Sequence, residues 1–356
     1  SVDGKADKPG QKLAGNFNPL KQRKAGRPAA RSAESATGAA PRGRHGPGRS
    51  PRPDGDACMS PQTLPADDRV RAALHPLAGV DLDELVGTAA LLTRVDRKYV
   101  LPVDDAVAVL DALARTTAAR VLEIDGTRSA AYESVYFDTP DLASFRLTAT
   151  RRRRRFKVRT RTYLDSGTSF LEVKTRAARG TTFKQRVAHD CPTALDGGRE
   201  FVHRTLAAEG IDGVPEHALA PGLVSRYRRT TLLLPRPDGA ARATVDTGLT
   251  WELGRPDGAR SLSWPVTHLA VVETKGGSTP SDLDRLLWRH GHRPERISKY
   301  GTGLALLRPD LPDGPWRRVI RRHITPSPGG TTSDRTPDHH LARHPARTPG
   351  HDDRSL

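Results

Sequence analysis

Cations alternate with neutral residues along two neighbouring segments of this chain. Lys157, Arg159 and Arg161 occupy every second position of the run FKVRTRTY. Because successive side chains of a β-strand point to opposite faces, these three cations share one face. The run FLEVKTR that follows puts Glu172 and Lys174 on one face in the same way. Cations aligned on one face repel each other unless an anion lies between them, so the pattern predicts a polyanion bound against β-structure.

The same alternation recurs in other segments that are predicted to be strands. The further cations placed in this way are Arg94, Lys98, Lys184, Arg186, Arg242 and Lys275. For any single strand, a solvated charged face is the simpler interpretation, but such faces usually mix the two signs. Repetition over five or more strands favours a shared cationic surface. If the sheet closes on itself, that surface becomes a cationic lumen with isolated carboxylates.

Hydrophobic periodicity predicts an α+β fold that consists mostly of antiparallel strands, with a few helices packed outside the sheet. Predicted helices cover about 81–92, 103–115, 200–209 and 281–290. Predicted strands cover about 93–101, 120–124, 131–137, 156–163, 170–176, 181–187, 223–234, 241–253 and 269–275. Pro-Asp-Gly occurs between the two longest strands, where it is typical of a hairpin turn.

Composition divides the 356 residues into a folded middle and two tails. The net charge is +17, only 35% of residues are hydrophobic, and the chain holds 32 Gly and 29 Pro. We therefore predict disordered basic tails at 1–58 and 312–356 around one domain at 59–311. Met59 is the only methionine, and it is either the natural start of the protein or an internal residue after a longer leader.

Several functional classes lack their sequence signals. No apolar run approaches the ~18 residues of a membrane span, and the basic N-terminal segment has no hydrophobic signal core. Cys58 and Cys191 have no CxxC spacing, so we expect neither a disulfide scaffold nor a thiolate metal site. A cytoplasmic protein is the simplest prediction. The five arginines at 151–155 have no interleaved aromatic residues, and we interpret them as a mouth of the lumen instead of a specific nucleic-acid site.

Seven short motifs in order resemble one known family. They are TRVDRKYV (93–100), YFDT (136–139), KVRTR (157–161), FLEVK (170–174), YRRT (227–230), VETK (272–275) and SKY (298–300). Together they resemble the vacuolar transporter chaperone (VTC) domain, a branch of the triphosphate tunnel metalloenzymes, over about residues 64–307. That resemblance implies a closed antiparallel β-tunnel.

The resemblance also implies an activity, a polyphosphate polymerase that transfers the γ-phosphate of ATP to a growing polyphosphate chain. By correspondence of motifs, the phosphate-contacting catalytic residues would be Lys98, Arg159, Arg161, Lys174, Arg229, Arg242 and Lys299. Further substrate-binding residues would be Lys157, Lys184, Arg186, Lys275 and Ser298. Glu273 would hold a divalent metal, Mn²⁺ or Mg²⁺, which prefers carboxylate and phosphate oxygens.

One departure separates this chain from the hydrolase and cyclase members of the same superfamily, the CYTH group. Their first strand begins with Glu-x-Glu-x-Lys, whereas this chain has Arg94, Asp96 and Lys98 at those positions. The lost carboxylate disfavours two-metal hydrolysis. Two alternatives stay open, an inorganic tripolyphosphatase on the same fold and a module that binds polyphosphate or nucleotide without turnover. The sequence does not exclude a membrane partner.

Overall fold

An eleven-stranded sheet forms the centre of the protein. A computed structural model describes residues 64–88, 95–176, 182–237, 239–253 and 262–325. Neighbouring strands along the main path are antiparallel, in the order β2-β11-β9-β8-β4-β5-β6-β7. The short strand β10 pairs with β9, β3 pairs with β8, and β1 pairs in parallel with β3.

The strands are β1 (Ala78–Val80), β2 (Val95–Pro102), β3 (Arg120–Leu122), β4 (Ala130–Asp138), β5 (Arg155–Tyr163), β6 (Thr168–Arg176), β7 (Thr182–Ala188), β8 (Ala220–Arg236), β9 (Gly239–Leu253), β10 (Ser263–Pro265) and β11 (Leu269–Gly276). The helices are α1 (Ala66–Ala73), α2 (Leu82–Thr88), α3 (Val103–Thr116), α4 (Ala143–Ala149), α5 (Arg199–Ala208), α6 (Asp282–Arg289) and α7 (Lys299–Leu307). A short helical segment at 317–324 follows α7.

Alternation along the strands gives the sheet two different faces. On β5, Phe156 and Val158 are buried on one side of the sheet. Lys157 and Arg159 alternate with them and point to the opposite side. We call the side that carries Arg159 the basic face. The other side is apolar and lies under the helices, because burying it removes hydrocarbon from water.

Helices cover the apolar face in two groups and the basic face in one place. Apolar side chains of α1, α3 and α6 form one core with β2, β8, β9 and β11, and α5 forms a second core with β5 and β6. Helix α7 and segment 317–324 belong to a third core, with Val100, Tyr136 and Trp251. Helix α7 therefore lies on the same side of the sheet as the predicted binding residues.

The predicted antiparallel tunnel architecture with outer helices is confirmed, with one difference in how it closes. Strands β2 and β7 end the path of the sheet, and no backbone pairing joins them within the described ranges. The two ends of the sheet, which we call its arms, nevertheless lie near one another. Lys98 on β2 is close enough to Lys157 on β5 for its charge to lower the pKa of Lys157. Arg94, which the sequence pattern places on the first strand, lies outside the described residues.

The C-terminal limit of the domain lies later than the sequence pattern indicates. Trp316, Val319, Ile320 and Ile324 are all buried in the core around α7. The predicted boundary at Leu311 is therefore too early, because four apolar side chains within an Arg-rich and Pro-rich stretch are enough to dock it. The predicted tail at 1–58, residues 326–356 of the predicted tail at 312–356, and Met59 lie outside the part of the chain that the structure describes.

Candidate active site

Cross-strand register gathers lysines into a row on the basic face. Lys157 on β5 lies opposite Lys174 on β6, which in turn lies opposite Lys184 on β7. Directly opposed side chains are only about 4.5–5.5 Å apart at Cβ, so the three ammonium groups repel one another. Such a row is stable only at a cost, and an anionic ligand is the natural partner for it.

Lys157 has the most altered ionisation in this row. Its Nζ donates to the Ser298 hydroxyl at 2.9 Å. Burial, followed by the charges of Lys174, Lys98 and Arg155, lowers the pKa of Lys157 to about 7. The positive charges that lower this pKa belong to three strands, β2, β5 and β6. The basic face therefore curves around Lys157.

The next row along the strands contains a carboxylate that three cations share. Glu172 accepts from Arg159 at 2.7 and 2.9 Å and from Lys184 at 2.7 Å, and Arg161 lies 3.7 Å away. Although burial opposes it, the charges of Arg161 and Lys184 hold the pKa of Glu172 below its usual range. Arg186 is opposite Glu172 on β7. One buried anion thus organises most of the predicted cations of this arm.

Aromatic rings lie beneath the arginines in the centre of the face. Arg161 and Arg229 both lie over Tyr132, at 5.9 and 5.6 Å from its centroid. Arg229 and Lys299 also lie over Tyr227, at 5.2 and 4.3 Å. Cation–π contacts of this kind hold a guanidinium in place while leaving its N–H groups available. These tyrosines were not among the predicted site residues.

Asp246 joins the strands to the start of α7. It accepts from Arg229 through both carboxylate oxygens, at 2.6 and 2.7 Å, and also pairs with Lys299. Despite the opposing effect of burial, these two cations lower the pKa of Asp246 to about 2. The structure shows the ion pair.

Helix α7 is fixed at its first turn by contacts that the sequence motifs did not reveal. The Ser298 hydroxyl caps the helix by accepting from the Gly301 amide at 3.1 Å. The Tyr300 hydroxyl donates to buried Asp138, whose carboxylate also accepts from the amides of Ser144 and Phe145. These bonds hold Ser298 and Lys299 at the basic face.

Glu273 lies on the other arm of the face, between two lysines. Its carboxylate is 2.6 Å from Lys98 Nζ, which is directly opposite on β2, and it also pairs with Lys275 on its own strand. Although burial opposes it, Lys98 and Lys275 hold the pKa of Glu273 well below the usual range. Arg242 on β9 is opposite Lys275. Glu273 is therefore ionised and within a cluster of cations.

The residues around Glu273 determine whether a divalent metal fits. Within the described ranges, no group of three or more His, Cys, Asp or Glu side chains converges as a metal site. A hard cation such as Mg²⁺ is commonly held by one or two carboxylates, with phosphate and water oxygens as its other ligands. Glu273 fits that arrangement as a single carboxylate ligand beside a bound phosphate chain.

The structure brings the predicted residues together on one surface. Those on strands are Lys98, Lys157, Arg159, Arg161, Lys174, Lys184, Arg186, Arg229, Arg242, Glu273 and Lys275, and all of them point to the basic face. Ser298 and Lys299 reach the same surface from α7. The predicted mouth divides, since Arg151 and Arg155 line a cavity beside Lys98 and Arg152, Arg153 and Arg154 do not; the side chains of residues 151–154 are all exposed.

Comparison with known sequences places the chain in a family. The VTC domain family matches residues 93–308, well over half of the chain. The chain therefore belongs to the VTC domain family. No curated protein matches the sequence. No helix within the described ranges is long and apolar enough to cross a membrane.

Solved structures with distant similarity include proteins related to nucleotide and triphosphate chemistry. A proposed adenylate cyclase of Vibrio parahaemolyticus has 13% identity and a TM-score of 0.33, over 58% of this chain and 94% of that chain. A proposed adenylyl cyclase of Hippeastrum, reported to have a dominant triphosphatase activity, has 15% identity and a TM-score of 0.34, over 59% and 94%. A proposed adenylate cyclase of Bacillus halodurans has 10% identity and a TM-score of 0.36, over 58% and 93%.

Proposed function

We propose that this protein is a metal-dependent polyphosphate polymerase that uses ATP as the phosphate donor. The observation that carries the proposal is the basic face itself, a curved surface on which cations from seven strands and helix α7 surround a few carboxylates that are already paired. Membership of the VTC domain family supports a phosphate polymer as the ligand. Arginine forks match phosphate oxygens, and rows of lysines balance a chain with charge on every unit.

The reaction needs little beyond positioning and charge neutralisation. A terminal phosphate oxygen of the polyphosphate chain attacks the γ-phosphorus of ATP, the bond from that phosphorus to the β,γ-bridging oxygen breaks, and ADP leaves with the electron pair. The attacking group is already anionic, so no general base is required. Phosphoryl transfer depends on neutralising the equatorial oxygens and aligning the attacking and leaving oxygens.

The arrangement of the site suggests a role for each group. Arg159, Arg161 and Arg229 offer N–H groups whose directions are fixed by Glu172, Tyr132 and Asp246. The lysines on the two arms bind the neighbouring phosphates of the chain. A divalent ion held by Glu273 and by phosphate oxygens would neutralise charge on the leaving oxygens.

The same geometry explains why the chain is proposed to be a polymerase and not a hydrolase. The hydrolase motif has two acidic residues, and in this chain only Asp96 remains at those positions. Its carboxylate is 3.9 Å from Lys275 Nζ. A buried general base that could activate water would need a carboxylate without such partners. The ion pairs of Glu172, Asp246 and Glu273 instead lower the pKa values of these carboxyl groups, which makes them weak bases.

Phosphorus NMR of the purified full chain with ATP and Mn²⁺ or Mg²⁺ tests the proposal. A polymerase gives a growing resonance from internal phosphates together with ADP. When tripolyphosphate is supplied, a tripolyphosphatase gives orthophosphate and pyrophosphate without a growing internal resonance, and a binding module gives no product although it binds tripolyphosphate. Either of the last two results overturns the proposal. The matched control is the Glu273→Gln variant under the same conditions.

A further inference from the structure

A cavity of about 480 Å³ opens beside the basic face and shares Lys98 with the site described above. Its walls come from β2, from the C-terminal end of α4, from the start of β5, from the segment before α7 and from the loop before 317–324. The cations that line it are Arg97, Lys98, Arg151, Arg155 and Arg296. Lys98 and Arg155 also belong to the basic face, so the cavity is continuous with it.

Arg151 occupies a backbone position that is normally taken by glycine. Its φ is 57°, in the left-handed region. The Arg152 amide donates to the Leu147 carbonyl, and the Arg151 amide donates to the Thr148 carbonyl, which together form a Schellman motif at the end of α4. Where a helix ends in this way, the residue is usually glycine, because a Cβ is strained there. An arginine that bears this strain and lines a cavity points to a use for its side chain.

The charges that face the cavity are not balanced by its own acids. Within the described part of the chain, the side chains of Arg151 and Arg296 make no hydrogen bond or ion pair. Of the acids in the wall, Glu295 faces Arg318, Arg322 and His323 at 3.5–3.8 Å. Asp96 faces Lys275. The unpaired groups are thus guanidinium groups, which favour phosphate over a neutral ligand.

We infer that this cavity, which we call the vestibule, is a separate phosphate subsite that binds polyphosphate units lying beyond the basic face. The inference rests on the proposed function and adds to it a preference for long chains. Arg155 and Arg161 lie on one face of β5, six residues apart, and that distance is about 20 Å in an antiparallel strand. This exceeds the length of a triphosphate, so only a longer chain contacts both Arg161 and Arg155.

Binding measurements with two probes test this inference without any turnover. Calorimetry of the full chain is carried out with tripolyphosphate and with length-defined polyphosphate of about fifteen units, and affinities are compared per molecule. We expect Arg151→Gly and Arg296→Ala each to lower the affinity for the long chain about tenfold, the loss of one charge-assisted contact. Affinity for tripolyphosphate stays the same. Arg153→Ala, which removes an exposed arginine outside the cavity, changes neither.

Arg151→Gly also separates a binding role from a structural one. Glycine relieves the left-handed backbone, so the thermal midpoint is expected to stay level or rise while long-chain binding is lost. The inference is overturned if Arg151→Gly keeps wild-type preference for the long chain, or if Arg153→Ala weakens it equally. It is also overturned if the variants weaken ATP binding in place of long-chain binding. A wild type that binds tripolyphosphate without any preference for length refutes the vestibule alone, whereas one that binds no phosphate refutes the proposed function as well.

Discussion

Glu273 is the residue on which the chemistry and the binding can be separated. Replacing Glu273 by Gln keeps the volume of the side chain but removes the anionic ligand that a hard cation needs. Lys98 and Lys275 lose their shared partner and become available to phosphate. We expect tripolyphosphate to bind as well as in the wild type or more tightly, and polymer synthesis with Mn²⁺ to fall to background. Synthesis at the wild-type rate would show that Glu273 is not the metal ligand.

Arg161 tests whether the centre of the basic face binds phosphate. Arg161→Ala removes a guanidinium held over Tyr132 and near Glu172, and each charge-assisted contact is worth on the order of 1.5–3 kcal/mol. We therefore expect tripolyphosphate affinity to fall by about tenfold or more in calorimetry. Arg153→Ala is the control, with an effect only on association at low salt. Equal losses in the two variants would indicate a nonspecific basic surface.

At the scale of elements, the position of α7 depends on two glycines. A Cβ at Gly303 would lie 2.4 Å from Trp251, and one at Gly301 would lie 2.1 Å from Trp316. We expect Gly303→Ala to push α7 away from the sheet, with a loss of about 1–3 kcal/mol in the free energy of unfolding. Because Lys299 moves with the helix, affinity for tripolyphosphate should fall too. Gly314→Ala is a suitable control, since a Cβ there meets nothing within 4 Å.

Strands were predictable from the sequence, and α7 was not, for a physical reason. A period of two along β5 and β6 shows which residues share a face, and cations that recur at that period predict that the face binds anions. Helix α7 has the sequence KYGTGLALL, in which two glycines lower helix propensity. Its stability comes from packing against Trp251 and Trp316, and that packing is not visible in a local pattern.

Pairing between carboxylates and cations was also beyond sequence reasoning. Which residues oppose each other depends on strand register, and the register of β8 against β9 shifts at an irregularity between Arg226 and Arg228. That shift places Arg229 opposite Asp246. Alternation alone suggests that both residues face the lumen, but it does not show that they are partners. The tyrosines beneath the arginines were missed as site residues, because Tyr132 lies outside the seven motifs and Tyr227, although part of YRRT, has the pattern of a core aromatic residue.

At the scale of the whole molecule, segment 312–325 belongs to the folded domain. Truncation after Leu311 removes Trp316, Val319, Ile320 and Ile324 from the core around α7. We expect this truncation to lower the thermal midpoint by many degrees, because burial of such side chains is worth about 1.5–3 kcal/mol each. Truncation after Thr325 is the matched comparison and should leave the midpoint unchanged. Equal midpoints for the two proteins would contradict the docking seen here.

The row of lysines couples phosphate binding to protons. Burial and neighbouring cations lower the pKa of Lys157 to about 7, so this side chain is mostly neutral at pH 8. Burial also lowers the pKa of Lys184, to about 8. A bound polyanion favours the charged form of both lysines, so binding draws protons from solution.

Affinity for tripolyphosphate should therefore fall as the pH rises from 7 to 9. In calorimetry at pH 8, the apparent binding enthalpy should vary with the ionisation enthalpy of the buffer, and an enthalpy independent of the buffer would exclude this coupling. Under the proposed function, the occupancy of the basic face would respond to pH, because each phosphate chain that binds would be accompanied by protons taken from solution.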